Sequence, residues 1–103
     1  MPSTRALGRK NELRTKRLLE AEGYEVILAP NPTRYMKQVD FFGLWDAIAT
    51  NGEHTRFIQV KSNKSSTYGK KLQPHRDWKN PPNSFKECWL FTKGFSKPEV
   101  MIL

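Results

Sequence analysis

The chain has 103 residues, with 18 Lys or Arg against 10 Asp or Glu and a net charge of +8. That length suits one domain with one core, and 37% hydrophobic and 12% aromatic residues are enough to fill it. No apolar run approaches membrane-spanning length and no stretch reads as a secretory leader, so a membrane partner is not expected. The basic excess, with a pI near 9.9, points to a polyanion, nucleic acid ahead of an anionic membrane. A single cysteine, Cys88, excludes an internal disulfide and suits a reducing cytoplasm. It sits in the run Cys88-Trp89-Leu90-Phe91 and reads as a buried thiol rather than a nucleophile.

Taken in order, Ser3 or Thr4 caps a helix predicted to run to about Glu22, with Gly23 as its stop. Leu7, Leu18 and Leu19 form its apolar arc, Glu12 lies at the arc's edge, and Arg5, Arg9 and Lys16 come next; Leu13 points elsewhere. A strand follows over Tyr24 to Ala29. Pro30-Asn31-Pro32-Thr33 breaks it into a loop that carries Arg34 and Lys37. Gly43, inside the apolar run from Val39 to Trp45, suggests a bulge or a close backbone approach. Asp40 reads as a turn or capping residue, with a role at the site as the alternative.

The segment Asp46 to Lys61 organises the rest. Two apolar runs, Ala47-Ile48-Ala49 and Phe57-Ile58-Gln59-Val60, flank Asn51-Gly52, a strong hairpin signal. Alternation puts Gln59 and Lys61 on one face and Ile58 and Val60 on the other. A turn centred on Asn51-Gly52 or on Gly52-Glu53 pairs residues whose numbers sum to an odd value. Any odd sum sends Asp46 to the face of Gln59 and Lys61. An even sum would leave its charge among Ile58 and Val60 without a partner. The pattern thus clusters a carboxylate, an amide and an ammonium. Beyond it, Ser62 to Gly69 is a polar loop, Gln73 to Lys79 a short helix confined by Pro74 and Pro81-Pro82, and Phe85 to Thr92 a central strand. Gly94 turns the chain into a last strand over Glu99 to Leu103.

Glu12 on the first helix, the strand after it, Asp46-Ala47-Ile48-Ala49 and Gln59-Val60-Lys61-Ser62 together resemble the PD-(D/E)XK nuclease superfamily, and most closely its archaeal-type Holliday-junction resolvases. The likeness covers about residues 5 to 65. It implies an α/β fold with a restriction-endonuclease-like core, an N-terminal helix followed by a mixed sheet in the order αβββαββ. It also implies a site in which Glu12, Asp46, Gln59 and Lys61 are catalytic, and in which Asp46, Gln59, the Val60 carbonyl and Glu12 hold Mg²⁺ or Mn²⁺. Gln59 departs from the family, which has an acid there, and a neutral amide is a weaker ligand for a hard cation. DNA, branched or four-way, is the implied partner, and two cuts at a junction imply a homodimer, with Trp78, Trp89 or the last strand as its apolar contact. Arg5, Arg9, Lys10, Arg34, Lys37, Lys64, Lys70 and Lys71 are the expected phosphate contacts. In support, residues 1–20 and 61–79 hold 12 of the 18 cations. The competing readings are a nuclease-fold DNA-binding module without catalysis, for which Gln59 speaks, and a small RNA-binding protein. His54 and His75 lack metal-ligand spacing and read as bland.

Overall fold

The computed structural model describes residues 4–30, 40–63 and 68–103; the side chains of Thr4, Arg5 and Tyr68 are not described. Arg5, Arg34, Lys37 and Lys64 therefore lie outside the described side chains, as does much of the loop expected after Ser62.

Helix α1 (Thr4–Ala21) ends as its sequence requires. Gly23 takes φ +93°, which costs a residue without Cβ little. The N–H groups of Gly23 and Tyr24 then donate to the carbonyls of Glu20 and Leu19, at 3.0 and 3.1 Å, closing the last turn. Strands β1 (Glu25–Leu28), β2 (Ala47–Thr50) and β3 (Thr55–Ser62) follow. Helices α2 (Tyr68–Lys71) and α3 (Gln73–Asp77) come next, then β4 (Ser84–Phe91) and β5 (Glu99–Ile102). The strands lie in the order β1-β2-β3-β4-β5. All pairs are antiparallel except β3–β4, whose parallel pairing needs the crossover that α2 and α3 supply. The α/β class with a mixed sheet is as expected, with two short helices where one was foreseen.

The β2–β3 hairpin has the odd-sum register: Ala47 pairs with Ile58 and Thr50 with Thr55, so the turn spans residues 51–54. The Asn51 side chain accepts from the N–H groups of Glu53 and His54 and holds that turn. Alternation along β3 divides the core. Ile58 and Val60 pack under α1 with Leu19, Ala47, Ala49, Trp89 and Phe91. On the other face Leu72 of the crossover packs with Cys88 and Leu90. Trp45, Phe57 and Trp78 form an aromatic group beside α3, with Trp78 5.0 Å from Phe57 and 5.6 Å from Trp45 between ring centres.

Three expectations change. Leu18 is not in the apolar arc but 41% exposed; the stripe Asn11, Thr15, Leu19 faces the sheet instead. Burying those polar residues is tolerable because Thr15 Oγ1 donates to the Asn11 carbonyl at 2.8 Å, and Asn11 Nδ2 donates to Ser62 Oγ at 2.7 Å. Gly43 marks no bulge in a strand. Residues 41–45 form a tight loop closed by the N–H of Trp45 on the Phe41 carbonyl, with Phe42 and Gly43 both at positive φ. Trp89 is buried in the core and is not free to build an interface, whereas Val100 and Ile102 of β5 are exposed. His75 is buried, with its Nε2 at the Leu44 carbonyl and near the Gln59 amide.

Candidate active site

Strand β3 outruns β2. Gln59, Val60, Lys61 and Ser62 stay paired with β4, while the β2 ladder stops at Ala47–Ile58. Asp46 stands at that break. Its carbonyl still accepts from the Ala29 N–H at 2.8 Å, continuing β1–β2, but its own N–H donates to Ile58, already the partner of Ala47, at 2.9 Å. Two residues thus answer to one, as in a β-bulge, and the chain turns. The Asp46 carboxyl does not simply stand on the face of Gln59. Its Oδ2 accepts from the Val60 N–H at 2.9 Å, taking the place of a missing strand residue. In a strand the N–H and C=O of one residue leave on the same side, so the Val60 carbonyl points along the same open edge.

Two further carboxyls reach this edge. Glu12 comes down from α1, buried, with Arg9 Nη1 at 3.4 Å; Arg9 also donates to the Ala29 carbonyl at 3.1 Å. Asp40, from the start of the 41–45 loop, hydrogen-bonds the Asp46 carboxyl. Burial pushes the Asp46 carboxyl up from 3.8 to about 7, and the charges of Asp40 and Glu12 push the same way against the Val60 N–H. Burial also raises Glu12; Arg9 opposes the rise and Asp40 adds to it. The edge therefore concentrates more negative charge than its neighbours neutralise.

On the opposite face Gln59 Oε1 lies 3.3 Å from His75 Nε2, which is also 2.8 Å from the Leu44 carbonyl. Both partners only accept, so Nε2 carries the hydrogen. Burial lowers the His75 pKa, and the charge of Lys61 adds to that fall. Lys61 is therefore near His75, one position along the same face from Gln59. Of the residues singled out in the sequence, Glu12 lies near enough for its charge to act on the Asp46 carboxyl, Asp46 takes the Val60 N–H on the edge along which the Val60 carbonyl points, and Gln59 and Lys61 adjoin from the α3 side. Arg9 reaches the site as a partner of Glu12, and Lys10, Lys70 and Lys71 lie exposed.

Sequence reasoning ranked Asp40 behind Asp46, and the fold brings both carboxyls together. It missed His75, whose only local signal is spacing: Leu72 and His75, three apart, share the inward side of α3. Among the described residues no three His, Cys, Asp or Glu side chains form a metal-binding group. A cation here would need the Val60 carbonyl, the Gln59 amide or water beside the carboxylates. All are hard oxygen donors of the kind Mg²⁺ and Mn²⁺ take, and Mg²⁺ usually keeps several waters.

An N-terminal helix on a five-stranded mixed sheet, with acidic groups where β2 and β3 part, is the architecture of the restriction-endonuclease-like fold. A solved structure of that kind is Hjc, a Holliday junction resolvase from the archaeal hyperthermophile Archaeoglobus fulgidus. It is similar to this chain with a TM-score of 0.60 at 18% identity, over 93% of this chain and 72% of the resolvase. No protein-family model and no curated protein sequence matches the chain.

Proposed function

We propose that this protein is a divalent-metal-dependent endonuclease that hydrolyses DNA phosphodiester bonds, with branched or four-way DNA as the substrate and a homodimer as the working unit. The observation that carries the reading is the Asp46 edge. A buried carboxyl is held against a backbone N–H with two more acids bearing on it, and that arrangement favours a cation. Mg²⁺ or Mn²⁺ held by Asp46, the Val60 carbonyl and Gln59, with Glu12 beside them, would acidify a bound water and offset phosphate charge. Asp46 binds in its ionised form. Glu12, steadied by Arg9, orients water at the same edge. Lys61 contributes an ammonium to the charge that develops on the phosphate. The net charge of +8, with Lys10, Lys70 and Lys71 exposed, supplies contacts to the phosphate backbone.

One contact favours the alternative, a nuclease-fold module that binds DNA without cutting it. The Gln59 amide oxygen already faces the His75 N–H, which competes with its use as a ligand. Cleavage of labelled four-way junction, duplex and single-stranded DNA in Mg²⁺ or Mn²⁺, against EDTA, separates the two. Paired nicks on the junction that vanish in EDTA, and in Asp46→Ala and Lys61→Ala with binding retained, are the expected result. Tight binding without cutting in either metal selects the binding module. Wild-type rates in either variant would overturn the site assignment.

A further inference from the structure

A cleft of about 370 Å³ opens beside this site on the α1 face, at the carboxyl ends of the parallel strands β3 and β4. Its volume is in the range of pockets that take small organic groups, roughly 300–1,000 Å³, and open α/β sheets bind ligands at this end of their strands. The cleft shares a wall with the candidate active site. Asn11 precedes Glu12, Ser62 follows Lys61, and the Asn11 Nδ2 bond to Ser62 Oγ at 2.7 Å joins α1 to the end of β3 between the cleft and the site.

Its lining is built rather than incidental. Leu7, Phe91 and Phe95 give apolar and aromatic surface, and Phe95 leaves 69% of its area exposed, open to a flat partner. Arg14 and Lys93 supply positive charge at the same opening. The Arg14 guanidinium is fixed three ways: over the Phe91 ring at 4.8 Å, on the Ser96 carbonyl at 2.8 Å and on Asn11 Oδ1 at 3.4 Å. Asn63, at φ +68°, folds the end of β3 around the rim, donating its N–H to the Phe91 carbonyl and accepting from the Lys93 N–H. A flat apolar ring beside two cations matches one occupant well: a nucleobase stacked on an aromatic face, with its phosphate drawn to Arg14 or Lys93.

We infer that this cleft receives an unpaired nucleotide of the DNA substrate, its base against Phe95, one wall away from the bond to be cut. The inference rests on the endonuclease reading and deepens it: the base taken out of the stack selects branched or distorted DNA over plain duplex. Binding is measured in EDTA, so that no strand is cut, to three labelled duplexes that differ at one position. One is fully paired, one carries a single unpaired thymidine, and one carries an abasic residue in its place, with the same backbone and charge. Wild type is expected to bind the thymidine bulge roughly 5- to 150-fold more tightly than the abasic bulge, the span of one base stacked on an aromatic ring. Phe95→Ala, a change at an exposed position, should erase that ratio and leave duplex affinity unchanged; Phe95→Trp should keep it. Equal binding of both bulges by wild type, or an undiminished ratio in Phe95→Ala, overturns the cleft's role and leaves the nuclease reading standing. Failure of wild type to bind any of the three DNAs removes both.

Discussion

Replacing Asp46 by asparagine is expected to stabilise the metal-free protein while abolishing cleavage. The folded carboxyl titrates near 7 and an unfolded one near 3.8. Below pH 3.8 both states hold the proton and the group is neutral to stability. As pH rises toward 7 the unfolded chain releases its proton while the folded one keeps it, so stability falls through that window and the full penalty persists above it. At about 1.4 kcal/mol per pH unit the interval has a ceiling of about 4 kcal/mol. Asp40 and Glu12 share the titration, so the observed figure belongs to the group and lies below that ceiling. Asparagine carries no charge, and its amide oxygen can still accept from the Val60 N–H, 2.9 Å from the present carboxyl. Thermal and urea unfolding in EDTA at pH 4.5 and 8.5 measures the effect. The D46N variant should already melt several degrees higher at pH 4.5, where the unfolded carboxyl is mostly ionised, and about 10 °C higher at pH 8.5, where 1 kcal/mol moves a domain of this size by about 4–8 °C. Millimolar Mg²⁺ should then narrow the gap by stabilising wild type alone. A variant equally destabilised at both pH values would refute the reasoning, because the carboxyl would then be a structural acceptor rather than a strained charge.

Two other substitutions probe the neighbours. Gln59→Glu places a carboxylate about where an amide oxygen now lies 3.3 Å from His75 Nε2. The His75 titration, followed by its ring proton resonances, should move up from its burial-lowered position, and Mn²⁺ should bind more tightly. An unmoved His75 titration means that the two side chains do not meet. Arg56→Met removes a bidentate pair with Glu87, at 2.6 and 2.7 Å, and Glu87 is only 2% exposed. The Trp89 N–H at 3.0 Å would remain as a neutral donor to an otherwise uncompensated charge. The loss should be about 3–5 kcal/mol by urea unfolding, with most of it recovered when Glu87→Leu is added. A double variant as unstable as the single one would place the cost in the lost packing of Arg56 over Tyr24 and Trp89 instead.

What could be read from the chain alone was whatever local periodicity carries. The stop at Gly23, the hairpin and its odd register, and the strands around Trp89 and at the carboxyl end follow from spacing, because hydrogen-bonded neighbours in a helix or hairpin are close in sequence. Alternation in the hairpin brought Asp46, Gln59 and Lys61 to one face, and Glu12 joined them only through the resemblance to a nuclease family; in the fold the Asp46 carboxyl turns to the Val60 N–H instead of standing on that face. Tertiary structure decided the rest. The face α1 buries is set by the sheet beneath it. Thr15 can take a buried place that Leu18 does not because its hydroxyl is satisfied within the helix, and Leu19 joins the buried cluster with Ile58 and Val60. The slip at Asp46, which turns its carboxyl to the Val60 N–H, depends on where β1 and β3 both hold the chain. Asp40 and His75 reach the site over loop closures and a crossover, and alternation within one segment does not encode such contacts. The cleft by Arg14 and Phe95 is the extreme case. Its walls are joined by a bond between residues 51 positions apart, so it exists only once β3 and β4 lie parallel under α1.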